Sequence, residues 1–167
     1  SETVSEPVME SIEKETEEKS KKLPETEENI LFLARQISEY DVSYGNRIEI
    51  ISDPQLALSE MQEAIAKAKA FIHLEYYIIA SDEVTEELFD SLTHAAARGV
   101  EVRILYDSLG SLSLKRIYFR KLVEKGVKTA GFLPLSALPQ RINFNFRNHR
   151  KILIIDGVCA FTGGANI

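Results

Sequence analysis

The chain has 167 residues, of which 44% are hydrophobic, so it is long and apolar enough for one domain with one core. Its single cysteine, Cys159, excludes an internal disulfide and a cysteine-rich metal site, and we expect it to be a small core residue. No apolar run reaches about 18 residues, so no transmembrane helix is predicted and the chain itself is expected to be soluble. The net charge of −6 resides in residues 1–28, which contain ten Glu and four Lys and are predicted to form an acidic tail or a solvated helix.

Apolar periodicity and turn residues predict alternating helices and strands after this tail. Thr26 is expected to open the first helix of the domain, and Asp53 is expected to cap the second. In chain order, the predicted elements are a helix over 26–37, a short strand over 47–51, a helix over 54–69, a strand over 71–79, a helix over 82–98, a strand over 100–106, a helix over 114–125, a strand over 127–130, and hairpin strands over 151–155 and 158–162. This order predicts an α/β fold, with a mixed or largely parallel sheet and helices packed on it.

The most informative segment lies at residues 148–166. Asp156-Gly157 is a two-residue turn signal between two β-type runs, which predicts a tight hairpin. Strand alternation places His149, Lys151 and Leu153 on one side and Asp156 on the other. Because residues two apart on a strand are about 7 Å apart at Cα, the imidazole and the ammonium can converge on one anion such as a phosphate.

The residue types suit phosphoryl chemistry. A neutral imidazole can attack phosphorus or accept a proton, Lys151 supplies positive charge, and Asn166 after Gly163-Gly164 adds an amide donor where the backbone comes close. Asp156 is interpreted as a turn former that ties down the loop. A lone His-x-Lys is usually a strand start with a solvated flank. Here the spacing His-x-Lys-x4-Asp-x6-Gly-Gly-x-Asn is complete, which favours a phosphate site at His149.

This pattern resembles the HKD motif of the phospholipase D superfamily. Residues 68–78, 99–111 and 145–151 are also similar to consecutive blocks of bacterial cardiolipin synthases. The similarity covers about residues 44–167. It extends beyond the short motif, so the resemblance points to the cardiolipin synthase group within the superfamily.

The resemblance implies a fold and a mechanism. Members have an α/β sandwich of two similar halves, each of which gives one HKD histidine to a shared active site, and no metal or cofactor is required. One histidine forms a phosphohistidine with the phosphatidyl group while the other protonates the leaving alcohol, and a second alcohol or water then takes the group. By motif position, the catalytic set is His149, Lys151 and Asp156, the last in a structural role. Asn166 with Gly163 and Gly164 would line the phosphate site.

Only one HKD motif is present, and the chain ends at Ile167 directly after it. We therefore expect residues 29–167 to be the first phospholipase D-like domain, truncated after its motif. The second half is expected from a C-terminal region of a longer protein or from a dimer partner.

Three residues outside the motif are secondary candidates. Glu75 lies on an otherwise apolar strand, so it is expected either near His149 or a substrate hydroxyl, or in a structural ion pair. Asp107 follows the next strand and is expected to cap the loop or to join the site. Arg147 is a candidate substrate-binding residue that lies just before the motif. His73 and His94 are not expected to bind a metal.

Charge also predicts the class of ligand. Residues 111–151 contain ten basic residues against Glu124 alone, which suits an anionic head group or a nucleic-acid backbone. For residues 115–128 a solvated helix face is an equally good interpretation. The apolar, proline-containing loop over 131–144 is expected either to enter a bilayer interface or to pack on the sheet.

Three hypotheses follow from these observations. The leading one is the first half of a phosphatidyltransferase that joins two phosphatidylglycerol molecules at the cytoplasmic membrane and releases glycerol. The second is a single-motif phosphodiesterase or nuclease that works as a symmetric dimer, although nucleic acid is the less expected partner. The third is an isolated module without turnover.

Overall fold

The computed structural model of the chain describes residues 25–38, 45–114, 116–133 and 147–167. The predicted tail over residues 1–24 and most of the predicted loop over 131–144 lie outside the described residues. The chain divides into two compact units, residues 1–50 and 51–167, and each is described by itself.

The helices and strands follow the predicted order. They are α1 (Glu25–Ile37), α2 (Pro54–Lys67), β1 (Phe71–Tyr76), α3 (Glu83–Ala97), β2 (Glu101–Asp107), α4 (Arg116–Glu124), β3 (Lys128–Phe132), β4 (Lys151–Ile155) and β5 (Cys159–Thr162). As predicted, Asp53 caps α2, and its carboxylate accepts hydrogen bonds from the backbone N–H groups of Gln55 (2.8 Å) and Leu56 (3.0 Å). α1 belongs to the first unit, and all other elements belong to the second.

The strands of the described residues form one mixed sheet in the order β3-β2-β1-β4-β5. β1, β2 and β3 run parallel, whereas β4 is antiparallel to β1 and β5 is antiparallel to β4. The helices α3 and α4 connect the parallel strands, as such connections require. The predicted α/β class with a mixed sheet is therefore confirmed.

One face of the sheet carries the hydrophobic core. Strand alternation directs Ile72 and Leu74 of β1 and Leu153 of β4 to this face, where they are at most 1% exposed. They pack with Ile65 of α2 and Leu88 of α3, both fully buried. Burial of large aliphatic side chains at about 25 cal/mol per Å² is the main force that holds helices and sheet together.

The opposite face is more open. Leu105, Ile152 and Ile154 are half-buried there, and the adjoining Arg103 and Lys128 are exposed. A groove of about 390 Å³ on this face is lined by strand residues alone. The helices of the second unit thus pack on one face of the described sheet.

The β4–β5 hairpin closes through the predicted turn. Asp156 and Gly157 both have positive φ, 53° and 70°, and the N–H of Val158 donates to the carbonyl of Ile155 (3.1 Å). Glycine adopts this conformation without steric cost, and aspartate tolerates it better than most residues. The turn residues therefore specify the hairpin locally.

Three expectations were wrong. No strand forms over residues 47–51, where Ile48 and Ile50 are 86% and 95% exposed, because an alternating sequence stays irregular when it has no ladder partner, and none is found in the part of the chain that the structure describes. β1 ends at Tyr76 rather than at residue 79, since a side-chain hydroxyl replaces the ladder beyond it. Cys159 is exposed and not in the core.

Candidate active site

The motif histidine lies at the carboxyl edge of the parallel strands. Tyr76, the last residue of β1, pairs with Lys151, the first residue of β4, so the segment 147–150 lies beside the end of β1. In open α/β sheets, ligands bind at this edge. The sheet topology therefore places His149 where a substrate site is expected.

His149 and Lys151 are brought together, as predicted. The Lys151 Nζ donates to the backbone carbonyl of His149 (3.0 Å). The imidazole is exposed and stacks on the ring of Tyr77, with the ring centroids 3.9 Å apart and the planes inclined by 21°. The Lys151 Nζ lies 5.4 Å from the centroid of the same ring. An exposed imidazole and an ammonium thus lie at the same tyrosine ring.

Two carboxylates hold the segment that carries His149. Asp107, 1% exposed, accepts from the N–H of Asn148 (3.4 Å) and lies 3.8 Å from the guanidinium of Arg147. Glu75 accepts a hydrogen bond from the side-chain amide of Asn148, and its carboxylate lies 3.6 Å from the guanidinium of Arg150. The residues on both sides of His149 are therefore attached to the ends of β1 and β2.

These contacts define where Glu75 and Arg147 lie relative to His149. Glu75 contacts both neighbours of His149 in sequence, and it pairs with Ile152 on the open face of the sheet, whereas Lys151 pairs with Tyr76 on the core face. The Arg147 side chain is only 4% exposed and faces Asp107. In this arrangement, both side chains support the backbone around His149.

Asp156 lies at the opposite end of β4 from His149. Its carboxylate accepts from the backbone N–H groups of Lys69 (2.8 Å), Ala70 (2.8 Å) and Phe71 (2.9 Å). These hydrogen bonds, that from Lys69 first, lower the pKa of Asp156 below its ordinary value. The carboxylate thus ties the hairpin to the start of β1, whereas the sequence predicted only a turn former that ties down the loop.

The glycine pair and Asn166 follow β5. Gly163, Gly164 and Asn166 are exposed, and the carbonyl of Ile167 accepts from the N–H of Ala80 (2.7 Å), so this segment returns to the loop after β1. Within the described ranges, no hydrogen bond joins Asn166 to His149. Its contact with a phosphate remains a prediction.

Sequence reasoning missed Tyr77 and Asn148 as parts of the site. The signal for Tyr77 was an aromatic residue near the carboxyl end of the predicted strand over 71–79, at the edge where sites form. Asn148 precedes the motif histidine, but its bond to Glu75 joins segments far apart in the chain, and only the strand pairing reveals it.

Across the described residues, no group of three or more His, Cys, Asp or Glu side chains is arranged to hold a metal ion. In the same residues, the helices are too short or too polar to cross a membrane.

Comparison with known proteins identifies the family. Residues 61–167 match the family described as "Cardiolipin synthase, PLD-like domain". The chain belongs to this family. The phospholipase D-like resemblance drawn from the motif is thereby confirmed.

Two relatives of this phospholipase D-like family are bacterial. The chain is 41% identical over 122 residues to "Major cardiolipin synthase ClsA" of Bacillus subtilis (strain 168). The aligned region covers 73% of the chain and 25% of that protein. It is 42% identical over 139 residues to "Cardiolipin synthase" of Geobacillus sp. (strain WCH70). This aligned region covers 83% of the chain and 28% of that protein. The chain therefore spans about a quarter of the length of these relatives.

A solved structure supports the fold. NucT from Helicobacter pylori aligns with a TM-score of 0.52 and 22% identity over 67% of each chain. At this identity the likeness shows the phospholipase D-like fold alone.

Proposed function

We propose that this chain is the first catalytic half of a cardiolipin synthase-type phosphatidyltransferase, which joins two phosphatidylglycerol molecules and releases glycerol. The observation that carries the proposal is the exposed His149 imidazole beside the Lys151 ammonium, at the carboxyl edge of the parallel strands. Membership in the cardiolipin synthase domain family supports it.

The reaction has two balanced steps. In the first, a ring nitrogen of His149 attacks the phosphorus of one phosphatidylglycerol, the bond from phosphorus to the glycerol oxygen breaks, and an acid gives a proton to the leaving glycerol. In the second, a hydroxyl of another phosphatidylglycerol gives its proton to the conjugate base left by that acid and attacks the phosphohistidine, and the phosphorus–nitrogen bond breaks, which frees His149. Lys151 stabilises the charge on the non-bridging oxygens in both steps.

We propose that the second half supplies the acid that protonates the leaving glycerol in the first step. One imidazole cannot be the nucleophile and, at the same moment, the acid for the same alcohol. We infer that residues 29–167 form the first phospholipase D-like domain, preceded by an acidic tail, and that a second motif comes from a longer protein or from a dimer partner. The relatives, which are about four times as long as their aligned part, support this inference.

The proposed substrate is an anionic phospholipid at the surface of the cytoplasmic membrane. Support comes from α4 and the following turn, where Arg120, Lys121 and Lys125 are exposed. Basic side chains near an anionic bilayer each contribute about 1 kcal/mol of attraction. We do not assign nucleic acid as a partner, and the chemistry needs no metal, since Lys151 and the second half supply the positive charge.

The test is product analysis with the full-length enzyme, meaning this chain together with its proposed second half. The assay uses detergent micelles that contain phosphatidylglycerol, in a buffer with a strong chelator. We expect equal amounts of cardiolipin and glycerol, and an acid-labile phosphatidyl adduct on His149 after quenching during turnover. His149→Ala should abolish both, whereas His94→Ala, which removes an exposed histidine of α3, should abolish neither. Phosphatidic acid as the sole product, cleavage of plasmid DNA in place of lipid, or complete loss of turnover with chelator would contradict the proposal.

A further inference from the structure

Among the described residues, Tyr77 is the aromatic side chain that stacks on the motif histidine. It is the first residue after β1 and stacks on His149 at 3.9 Å between centroids, with 21° between the planes. Its ring also lies 5.4 Å from the Lys151 Nζ, within the range in which an aromatic ring attracts a cation. One ring thus contacts both of the groups to which we assign chemistry.

The backbone of Tyr77 is itself held in place. Its carbonyl accepts from the hydroxyl of Ser111 (3.3 Å), which also accepts from the N–H of Ile79 (3.1 Å). Gly110 approaches so closely that a Cβ there would lie 2.4 Å from the Tyr77 carbonyl oxygen and 3.0 Å from its Cε2. Only glycine fits at this position without a shift of the tyrosine.

A single carboxylate connects this support to His149. One oxygen of the buried Asp107 accepts from the N–H groups of Leu109 (3.0 Å) and Gly110 (2.9 Å), which shapes the loop against Tyr77. Its other oxygen accepts from the N–H of Asn148, the residue before His149 (3.4 Å). The backbone segments that carry the two stacked rings are therefore both positioned by the buried carboxylate of Asp107.

We propose that Tyr77 is the positioning residue of this site. Its ring sets the plane of the His149 imidazole and keeps the Lys151 ammonium beside it. An exposed imidazole otherwise rotates about two side-chain bonds, and attack on phosphorus requires a ring nitrogen aligned with the bond that breaks. The effect on turnover rests on the proposed function, while the stacking is a property of this chain alone.

The kinetic experiment uses three variants of the full-length enzyme. Tyr77→Leu should lower kcat by about 10²-fold with KM unchanged, because misplacement of a reacting group costs about that much and leaves lipid binding intact. Tyr77→Phe, which retains the ring, should recover most of this loss. Tyr106→Leu is the matched control, since it removes a tyrosine stacked on Phe119 (4.1 Å, 19°) on the neighbouring strand and should retain kcat.

The spectroscopic experiment uses the 167-residue chain, which has only three histidines. His149→Ala assigns the imidazole signals. In the unmodified chain, the His149 ring protons should show nuclear Overhauser contacts with the Tyr77 ring and an upfield ring-current shift. Tyr77→Leu should abolish that shift, and Tyr77→Phe and Tyr106→Leu should preserve it. Gly110→Ala should change the ring-current shift of His149 by displacing Tyr77, although both rings are retained.

The outcomes separate the two proposals. If the His149 signals respond as stated but the full-length enzyme makes no cardiolipin, the proposed function fails and the positioning role stands. If cardiolipin forms but Tyr77→Leu changes neither the signals nor kcat, the positioning role fails alone. Should Tyr77→Leu not fold, the contacts in the unmodified chain and the Gly110→Ala shift decide, and absence of both overturns the inference.

Discussion

At the residue scale, the neighbours of His149 define what its imidazole can do. The ring is exposed to a ligand, stacked on Tyr77 and adjacent to the ammonium of Lys151. Glu75 and Asp107 act one residue away, through Asn148. In this arrangement the His149 imidazole is held at the backbone and at the ring, and the residue remains exposed.

We expect the two motif side chains to differ in their effects on turnover. His149→Ala should reduce phosphatidyl transfer by several orders of magnitude because it removes the proposed nucleophile. Lys151→Ala should reduce it by about 10² to 10³-fold, the scale of one lost transition-state charge contact. Initial rates of cardiolipin formation by the full-length enzyme measure both. Full activity in a folded His149→Ala protein would contradict the assignment.

At the element scale, the β4–β5 hairpin is fixed at one end by Asp156. Its carboxylate accepts hydrogen bonds from three backbone N–H groups at the start of β1, and its own backbone N–H donates to the carbonyl of Phe71 (2.9 Å). The hairpin therefore has a set register on β1, and that register places Lys151 beside Tyr76 at the other end.

The Asp156 tie predicts a pH-dependent stability. Its pKa is lowered in the folded chain by the hydrogen bonds from Lys69, Phe71 and Ala70, so the ionised carboxylate stabilises the fold above the ordinary aspartate range. This contribution is lost as pH falls through the folded pKa. Asp156→Ala should therefore lower the urea midpoint at neutral pH, and the difference from the unmodified chain should shrink at acidic pH.

Asp90→Ala, which removes an exposed aspartate from α3, is the control for this measurement and should leave the midpoint nearly unchanged. A difference for Asp156→Ala that is the same at every pH would argue against the ionised tie. A folded Asp156→Ala enzyme with as large a loss of turnover as His149→Ala would show that the residue acts in chemistry as well.

Elements also show where sequence patterns fail. Residues 47–51 alternate like a strand but have no ladder partner among the described residues, and β1 ends early because Ser111 takes over the hydrogen bonds of Tyr77 and Ile79. A strand requires a neighbour as well as a pattern, and the neighbour comes from elsewhere in the chain.

At the scale of the whole molecule, the sheet has a core face covered by helices and a more open face where Ile152 and Ile154 are half-buried. The described residues supply one HKD histidine to the proposed chemistry. The proposed mechanism needs two histidine roles, nucleophile and acid, for each transfer.

We therefore expect the 167-residue chain to show little or no phosphatidyl transfer as a monomer. Sedimentation would establish its oligomeric state, and mass spectrometry of lipid products would detect cardiolipin. The control is the same assay with the proposed second half, produced separately, added to the chain, which should restore turnover. Robust transfer by the proven monomer alone would contradict the two-histidine mechanism.

The sequence by itself determined what depends on neighbours along the chain. These features include the hairpin turn at Asp156-Gly157, the cap at Asp53, the alternation that buries Leu153, and the spacing of the HKD motif. Each is a local matter of backbone conformation or residue period, so it can be inferred without knowing the fold.

Only the tertiary structure decided which distant groups meet at His149. The stack on Tyr77, the buried place of Arg147 and the bonds from Asn148 to Glu75 and Asp107 join segments that are far apart in sequence. They depend on the register between β1 and β4, in which a slip of one residue would send every side chain of β4 to the other face. Long-range burial and the Asp156 tie select that register, and no local pattern specifies it.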